Sequence, residues 1–327
     1  AMFADIMGGL APLRYIEAPL SGAISLSMPI DGEIDHVEMS LSGGSGKLHL
    51  PKPFSQTLEV TKIAMSASYD GKQKSGLIDK LFVELVSGST LSLPSPLEHS
   101  LPLSSFELSA SFEDDGAKWA VSNIQADLGG PQLKLEVQSE RTGLSAEPVK
   151  LDIAGDLSNI PVSKLPLVWP KDVGADARNW VFQHIKGGNI PQVSFSGQFQ
   201  FSSSSGLIID NLSGNMNVRN VVVDYFPPLP AVVIDAADMT FNESKFTIRV
   251  DGAQANGLNV RDGTIVLTGL NKYDQFADID LLLEGPVAAQ LDFISRKPLK
   301  LASAMGIDPA RTSGKASTRL NLYFILE

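Results

Sequence analysis

The chain has 327 residues, 43% of them hydrophobic and 7% aromatic, with a net charge of −11 and no cysteine. That composition belongs to a globular protein with room for two or three units, and its acidity makes it a poor partner for nucleic acid or an anionic surface. Disulfides, thiolate metal sites and cysteine catalysis are excluded.

No apolar run approaches the ~20 residues of a membrane-spanning helix, and no signal peptide is visible. The leading Ala-Met and closing Leu-Glu read as cloning remnants, so the chain is expected to be a fragment of a longer protein.

In chain order, Phe3, Ile6, Met7 and Leu10 first show helical spacing, diluted by glycine. Then period-two alternation takes over. Leu81, Val83 and Leu85 alternate, although Phe82 and Val86 are apolar on the other face. Phe106, Leu108, Ala110 and Phe112 alternate with Glu107, Ser109 and Ser111. Val149, Leu151 and Ile153 follow the same rule. Pro161 to Leu167 reads as a short helical turn. Trp169 to Gly188 reads as an amphipathic helix, with Ala177, Trp180, Val181 and Ile185 on one stripe and Gly187-Gly188 as its stop. Trp180, Val181 and Ile185 are expected to pack it onto the sheet.

Alternation resumes with Val193, Phe195, Phe199 and Phe201, then Phe246, Ile248 and Val250, then Ile279, Leu281 and Leu283. "PVAAQLDFISRKPLKLASAMG" predicts two short helices broken at Pro298. Leu320, Leu322, Phe324 and Leu326 close the chain as a strand. The spacing between Val218 and Val221 is odd and predicts a bulge.

Turn signals separate these runs: "YDGK", "EDDG", "LGGP", "VDGA" and "RDGT". One-sided strands with short turns predict a mainly β fold of antiparallel meanders. Three times a helical segment leads into Ser-Gly and an alternating strand, at Ser21-Gly22, Ser196-Gly197 and Ser313-Gly314. The first two passages stay in phase as far as the proline clusters at Pro53 and Pro228. The expected division is a first β-unit with a short N-terminal helix over 1–160, helical punctuation over 161–195, a second β-unit over 196–286, and a helical segment with a closing strand over 287–327.

Catalytic patterns fail one by one. His36, His49, His99 and His184 are scattered, and His184 reads as a structural residue beside its helix stripe. "GGSGKLHL" lacks the glycine and the Ser/Thr of a phosphate loop. No G-x-S-x-G elbow occurs. Asp278, Asp280 and Glu284 could form a weak cation site, but a solvated strand face explains them better. Glu113, Asp114 and Asp115 read as an acidic turn. No paired acids suit glycoside hydrolysis. Neither a cofactor nor a metal is expected.

Two architectures fit the alternation: a closed sandwich, or an open trough with an apolar lining. Low aromatic content leans to the trough.

"LPLVWPKDVGADARNWVFQHIKGGNI" resembles the AsmA-like superfamily of Gram-negative bacteria, in its YhdP branch. The resemblance rests on Trp169-Pro170, Ala177-Arg178, Trp180 and Gly187-Gly188. "VVVDYFPPLPAV", "GLNVRDGTIVLTGL" and "MGIDPARTSGKASTRLNLYF" extend it, and "APLSGAISLSMPIDGEI" looks like an earlier part of the same protein type. The resemblance implies a long curled antiparallel sheet forming a hydrophobic groove. It also implies a periplasmic, non-enzymatic bridge for phospholipid, held in the inner membrane by an anchor that this fragment lacks. Its expected lining is Leu81, Val83, Leu85, Phe106, Leu108, Phe112, Leu151, Ile153, Val193, Phe195, Phe199, Phe201, Phe246, Ile248, Ile279, Leu281, Leu283, Leu320, Leu322 and Phe324. A β-scaffold that organises envelope partners without carrying lipid is the other expectation, and the sequence sets no oligomeric state.

Overall fold

The computed structural model describes residues 14–30, 34–50, 54–93, 99–113, 118–140, 149–169, 174–202, 206–225, 229–297, 300 and 306–326. The expected N-terminal helix, the "EDDG" turn, the second half of the Pro298-broken helix pair and the proline clusters at Pro53 and Pro228 lie outside them. Among the described residues the fold is mainly β, with twenty strands and three short α-helices. Eighteen strands belong to an antiparallel sheet and two form a separate ribbon. The chain divides into two compact units: Ala1–Leu157 with Leu167–Asp172 and Ser196–Asp210, and Ser158–Pro166 with Val173–Phe195 and Asn211–Glu327.

The first unit is a meander. Its strands are β1 (Ile16–Glu17), β2 (Leu20–Ser27), β3 (His36–Gly43), β4 (Gly46–His49), β5 (Thr57–Asp70), β6 (Ser75–Leu85), β9 (Ser105–Glu113), β10 (Lys118–Asp127) and β11 (Gln132–Glu140). The ribbon of β7 (Thr90–Ser92) and β8 (Ser100–Pro102) is inserted between β6 and β9. β12 (Val149–Pro161) begins in this unit. Pairing runs β2–β3–β5–β6–β9–β10–β11, and β1 with β4 lies beside the first half of β5. The register stacks like with like. Leu41, Met65, Leu81, Leu108, Ile124 and Leu135 are successive cross-strand partners, and so are Ile63, Val83, Phe106, Ala126 and Leu133. Period-two alternation puts both rows on one face.

At one end of these strands the apolar side chains form a filled core. It comprises Leu48, Leu58, Val60, Ile63, Val83, Leu85, Leu103, Ala126 and Leu128, with Leu91 of the ribbon packed against it. Burying side chains of this size contributes about 1.5–3 kcal/mol each, so this end anchors the unit.

The second unit is also a meander. β15 (Gly206–Val223), β16 (Val232–Asn242), β17 (Lys245–Ala255), β18 (Leu258–Thr268), β19 (Gln275–Pro286) and β20 (Lys315–Leu326) pair in sequence. The helix α2 (Ala175–His184), the short β13 (Ile185–Lys186) and the start of β14 (Asn189–Ser202) precede them, and α3 (Val287–Ser295) links β19 to β20. The remaining helix, α1 (Leu165–Val168), follows a 3₁₀ turn at Val162–Lys164, as the helical reading of 161–167 expected.

Several sequence readings change here. "VDGA" and "RDGT" are not hairpin turns. They lie inside β17 and β18, where Val250 opposes Gly263 and Ala253 opposes Val260. Each strand presents two buried residues three apart: Val250 and Ala253 on β17, Val260 and Gly263 on β18. Such spacing moves the buried side chains to the other phase of the strand, and the two strands change phase together because their mutual register is unbroken. The hairpin turn between these strands is Asn256-Gly257, with φ of 52° and 77°. That is the left-handed pair a two-residue primed turn requires. Between Val218 and Val221, where a bulge was expected, the buried face changes phase while the register against β16 stays unbroken. Both valines are buried, and Asn220 between them has φ of 53°. Ile234 and Ala237 repeat the three-residue spacing on β16. The three-residue spacing therefore lines up across β15, β16, β17 and β18 as one crease, with register shifts between β16 and β17 at Ile234–Ala237 and between β18 and β19 at Val260–Asp262.

The helix expected over 169–188 is shorter, because the chain is already extended at Ile185. Gly187 and Gly188 make the turn from β13 into β14. Gly188 has φ of 90°, and a Cβ there would strike Val221 and the Asn220 carbonyl. The three Ser-Gly pairs are not equivalent: Ser21 lies near the start of β2, Ser196 lies mid-strand in β14, and Ser313 precedes β20.

Candidate functional site

The register of the second unit builds an apolar surface row by row. Met216, Met239, Ile248, Ile265, Ile279 and Leu322 are successive partners from β15 to β20. Beside them run Val218, Ala237, Val250, Gly263, Leu281 and Leu320, then Phe241, Phe246, Leu267, Ala277 and Phe324. Across the crease lies Val221, Ile234, Ala253, Val260 and Leu283. Strands stand ~4.8 Å apart, so a six-strand row runs roughly 24 Å. No charged side chain occurs in these rows.

Burial varies systematically. Val218, Ala237 and Val250 along the crease are buried, whereas every member of the Met216–Leu322 row is half-buried. Gly263 sits in the crease because Leu281 occupies the space a Cβ would need. Phe241 and Phe246 stack near the hairpin end.

The opposite face is mainly polar, with Phe276, Leu282, Tyr323 and Ile325 as its apolar side chains on β19 and β20. Arg319 donates two hydrogen bonds to the Asp280 carboxylate, at 2.7 and 2.6 Å, and Arg261 Nε donates to Glu284 at 3.0 Å. Hydrogen bonding from Arg319 holds the Asp280 carboxyl below its ordinary range. Two of the three acids considered for a cation are thus engaged by arginine. Among the described residues no group of three His, Asp or Glu side chains could hold a metal ion. No described helix is long and apolar enough to cross a membrane.

The predicted lining residues fall into place unevenly. Phe246, Ile248, Ile279, Leu281, Leu283, Leu320, Leu322 and Phe324 share the apolar face of the second unit. In the first unit Leu81 opposes Leu108 and Val83 opposes Phe106, while Phe112 opposes Gly76 and stacks on Tyr69. Val83 and Leu85 are 0% and 5% exposed. Ribbon residue Leu91 and the loop residues Leu103 and Leu128 enclose them in the filled core. Leu151 and Ile153 are half-buried on one face of β12. Val193, Phe195 and Phe199 are half-buried on one face of β14, and the Phe201 side chain lies outside the described residues.

Trp180 is 45% exposed. The expected packing does not extend to it: its ring stacks on His184, one helical turn on, with ring centroids 5.0 Å apart. Val181 and Ile185 are half-buried. His184 is structural, its Nδ1 lying 2.6 Å from the Asp224 carbonyl while its own carbonyl accepts from the Asp224 amide.

The family model for the YhdP protein matches residues 32–327. This chain belongs to the YhdP family. Searches of curated proteins and of solved structures returned no match. The YhdP match takes in the charge-free rows of both units and the Trp169–Gly188 stretch.

Sequence reasoning passed over Met65, Ile124, Met216, Met239 and Ile265 as row members, and Met39, which pairs with Ile24 and Ala67. Leu133, Leu135 and Val137 alternate cleanly in "QLKLEVQ" and could have been read directly. Met39, Met216 and Met239 alternate as cleanly, whereas Ile124 stands next to a register shift and Met65 and Ile265 lie in mixed runs where the period is broken.

Proposed function

We propose that this YhdP-family chain is a non-enzymatic section of a periplasmic lipid conduit. Phospholipid acyl chains lie against the apolar face, headgroups stay in water, and lipid moves across the strands toward the outer membrane. An anchor outside this chain holds the whole protein in the inner membrane.

The observation that carries the reading is the set of aligned rows, six strands wide, without a charge. Exposing an acyl chain to water costs about 0.8 kcal/mol per CH₂, so two ~16-carbon tails face on the order of 25 kcal/mol. A continuous aliphatic wall removes most of that cost. A wall without polar anchors also lets a lipid slide. The crease, with its register shifts beside β17 and β19, supplies the bend that would curl the sheet around the tails. The half-buried rows are the surface the tails would cover.

A second reading has its own observation. The filled core around Val60 and Val83 is what a β-scaffold without lipid would show. Lipid extraction from natively purified protein, followed by mass spectrometry, separates the two. The conduit predicts co-purifying phospholipid that is lost when Ile248 and Ile279 are both replaced by aspartate. Protein free of phospholipid would leave the scaffold.

A further inference from the structure

The helix α3 is apolar and has no buried residue. Its one charged side chain is Asp292, and its large apolar side chains are Val287, Leu291, Phe293 and Ile294. An α-helix turns roughly 100° per residue. On that wheel these four fall on the half of α3 that also carries Gln290. Ala288, Ala289, Asp292 and Ser295 take the other half. Gln290 fixes where the first half looks. Its Nε2 donates to the Ala316 carbonyl at 2.8 Å, and its Oε1 accepts from the Thr318 hydroxyl at 2.6 Å. Thr318 is the register partner of Leu283, so it continues the Val221–Leu283 row onto β20. On the other half, Asn256 of the β17–β18 turn donates to the Asp292 carboxylate at 2.9 Å. α3 is thus tied beside the end of that row, with its large side chains on the side of the apolar face.

The apolar stripe of a helix is ordinarily buried against the core. Here every residue of α3 stays half-buried. Among the described residues, the half-buried side chains packed on Val250, Ala253 and Val260 of the crease all come from strands, and none comes from α3. The helix stands beside the row without filling it.

We infer that α3 is a second wall of the acyl-chain site on this unit, with a phospholipid tail held between the helix and the Val221–Leu283 row. The inference rests on the conduit reading and adds a contact element outside the sheet. Hydrogen bonding selects hydrocarbon as the occupant. Gln290 is the one polar side chain on this half of α3, and both ends of its amide are already engaged. A peptide backbone entering here would leave polar groups unpaired, which is costly, whereas an acyl chain has none to leave. Asp292 sits on the other half, bonded to Arg296 and Asn256, so its charge stays off the tail.

Photocrosslinking residues placed singly at Leu291, Ile294, Ala288 and Ser295, with Leu281 of β19 as reference, test this in native membranes when the adducts are analysed for lipid. Phospholipid adducts are expected at Leu291 and Ile294 at a yield comparable to Leu281, and several-fold fewer at Ala288 and Ser295. The Leu291→Gln/Ile294→Gln double variant is expected to lose co-purifying phospholipid several-fold, yet to melt with the parent once both are delipidated. Four results overturn the second wall and leave the conduit reading standing: lipid adducts at Leu281 with none at Leu291 and Ile294, equal lipid adducts all round the helix, protein adducts alone on α3, or a delipidated variant that melts well below the parent. An absence of lipid adducts at Leu281 removes the conduit reading itself, and this inference with it.

Discussion

Apolar side chains in this chain do two jobs, and burial tells them apart. Ile63 is 2% exposed within the filled core of the first unit. Truncating such a residue leaves a cavity, so Ile63→Ala is expected to cost about 2–5 kcal/mol in denaturant unfolding. Trp180 is large but stands 45% exposed against His184. Trp180→Glu is expected to change stability by no more than about 0.5 kcal/mol, and a cooperative loss of several kcal/mol would show that the ring packs on the sheet. From sequence the two residues look alike, since alternation and helical stripes mark a face without saying what covers it. The inner positions of β19 and β20 were legible because nothing interrupts their period. Asp251-Gly252 and Asp262-Gly263 were not, because the same dipeptide serves a hairpin turn and a mid-strand bulge. Only the neighbouring strands decide between the two.

Among the elements, α3 shows how a short helix is held without a buried face. The Gln290 amide donates to the Ala316 carbonyl at 2.8 Å and accepts from the Thr318 hydroxyl at 2.6 Å. The Asp292 carboxylate accepts from Arg296 at 2.8 and 3.1 Å and from Asn256 at 2.9 Å. These bonds, Arg296 first and Asn256 next, hold the Asp292 carboxyl below its ordinary value. Because the folded value is the lower one, the carboxylate stabilises α3 fully above the unfolded carboxyl range. That contribution is lost as pH falls through the depressed folded value. Amide exchange over 287–295 is therefore expected to lose protection on acidification ahead of β17 and β18. Asp292→Asn should abolish that pH step. An identical pH response in the variant would place the switch elsewhere. The existence of α3 was readable from its spacing and from Pro298. Its anchoring was not, since Asn256, Thr318 and Ala316 are distant in sequence. The boundary of α2 was misread for a related reason: Gly187-Gly188 looked like a helix stop, but β13 pairing with β15 ends the helix at His184 first.

At the scale of the molecule, a mainly antiparallel β fold was legible because it rests on a short-range signal, period two with turns between. The crease was only hinted at by the odd spacing of Val218 and Val221. It emerges when the same defect recurs on four neighbouring strands, a long-range coincidence that no single run displays. The enclosed end of the first unit is long-range too, since Leu91 comes from the inserted ribbon and Leu103 and Leu128 from loops, whose destination alternation does not set. The central claim is that one face of this sheet meets acyl chains and the other meets water. Photocrosslinking residues placed singly from Asp278 to Leu283 along β19 test it most directly, in native membranes and followed by lipid analysis of the adducts. Phospholipid adducts are expected at Ile279, Leu281 and Leu283 and not at Asp278, Asp280 or Leu282, the last being apolar but on the polar face. Adducts without that alternation, or protein adducts alone, would contradict it.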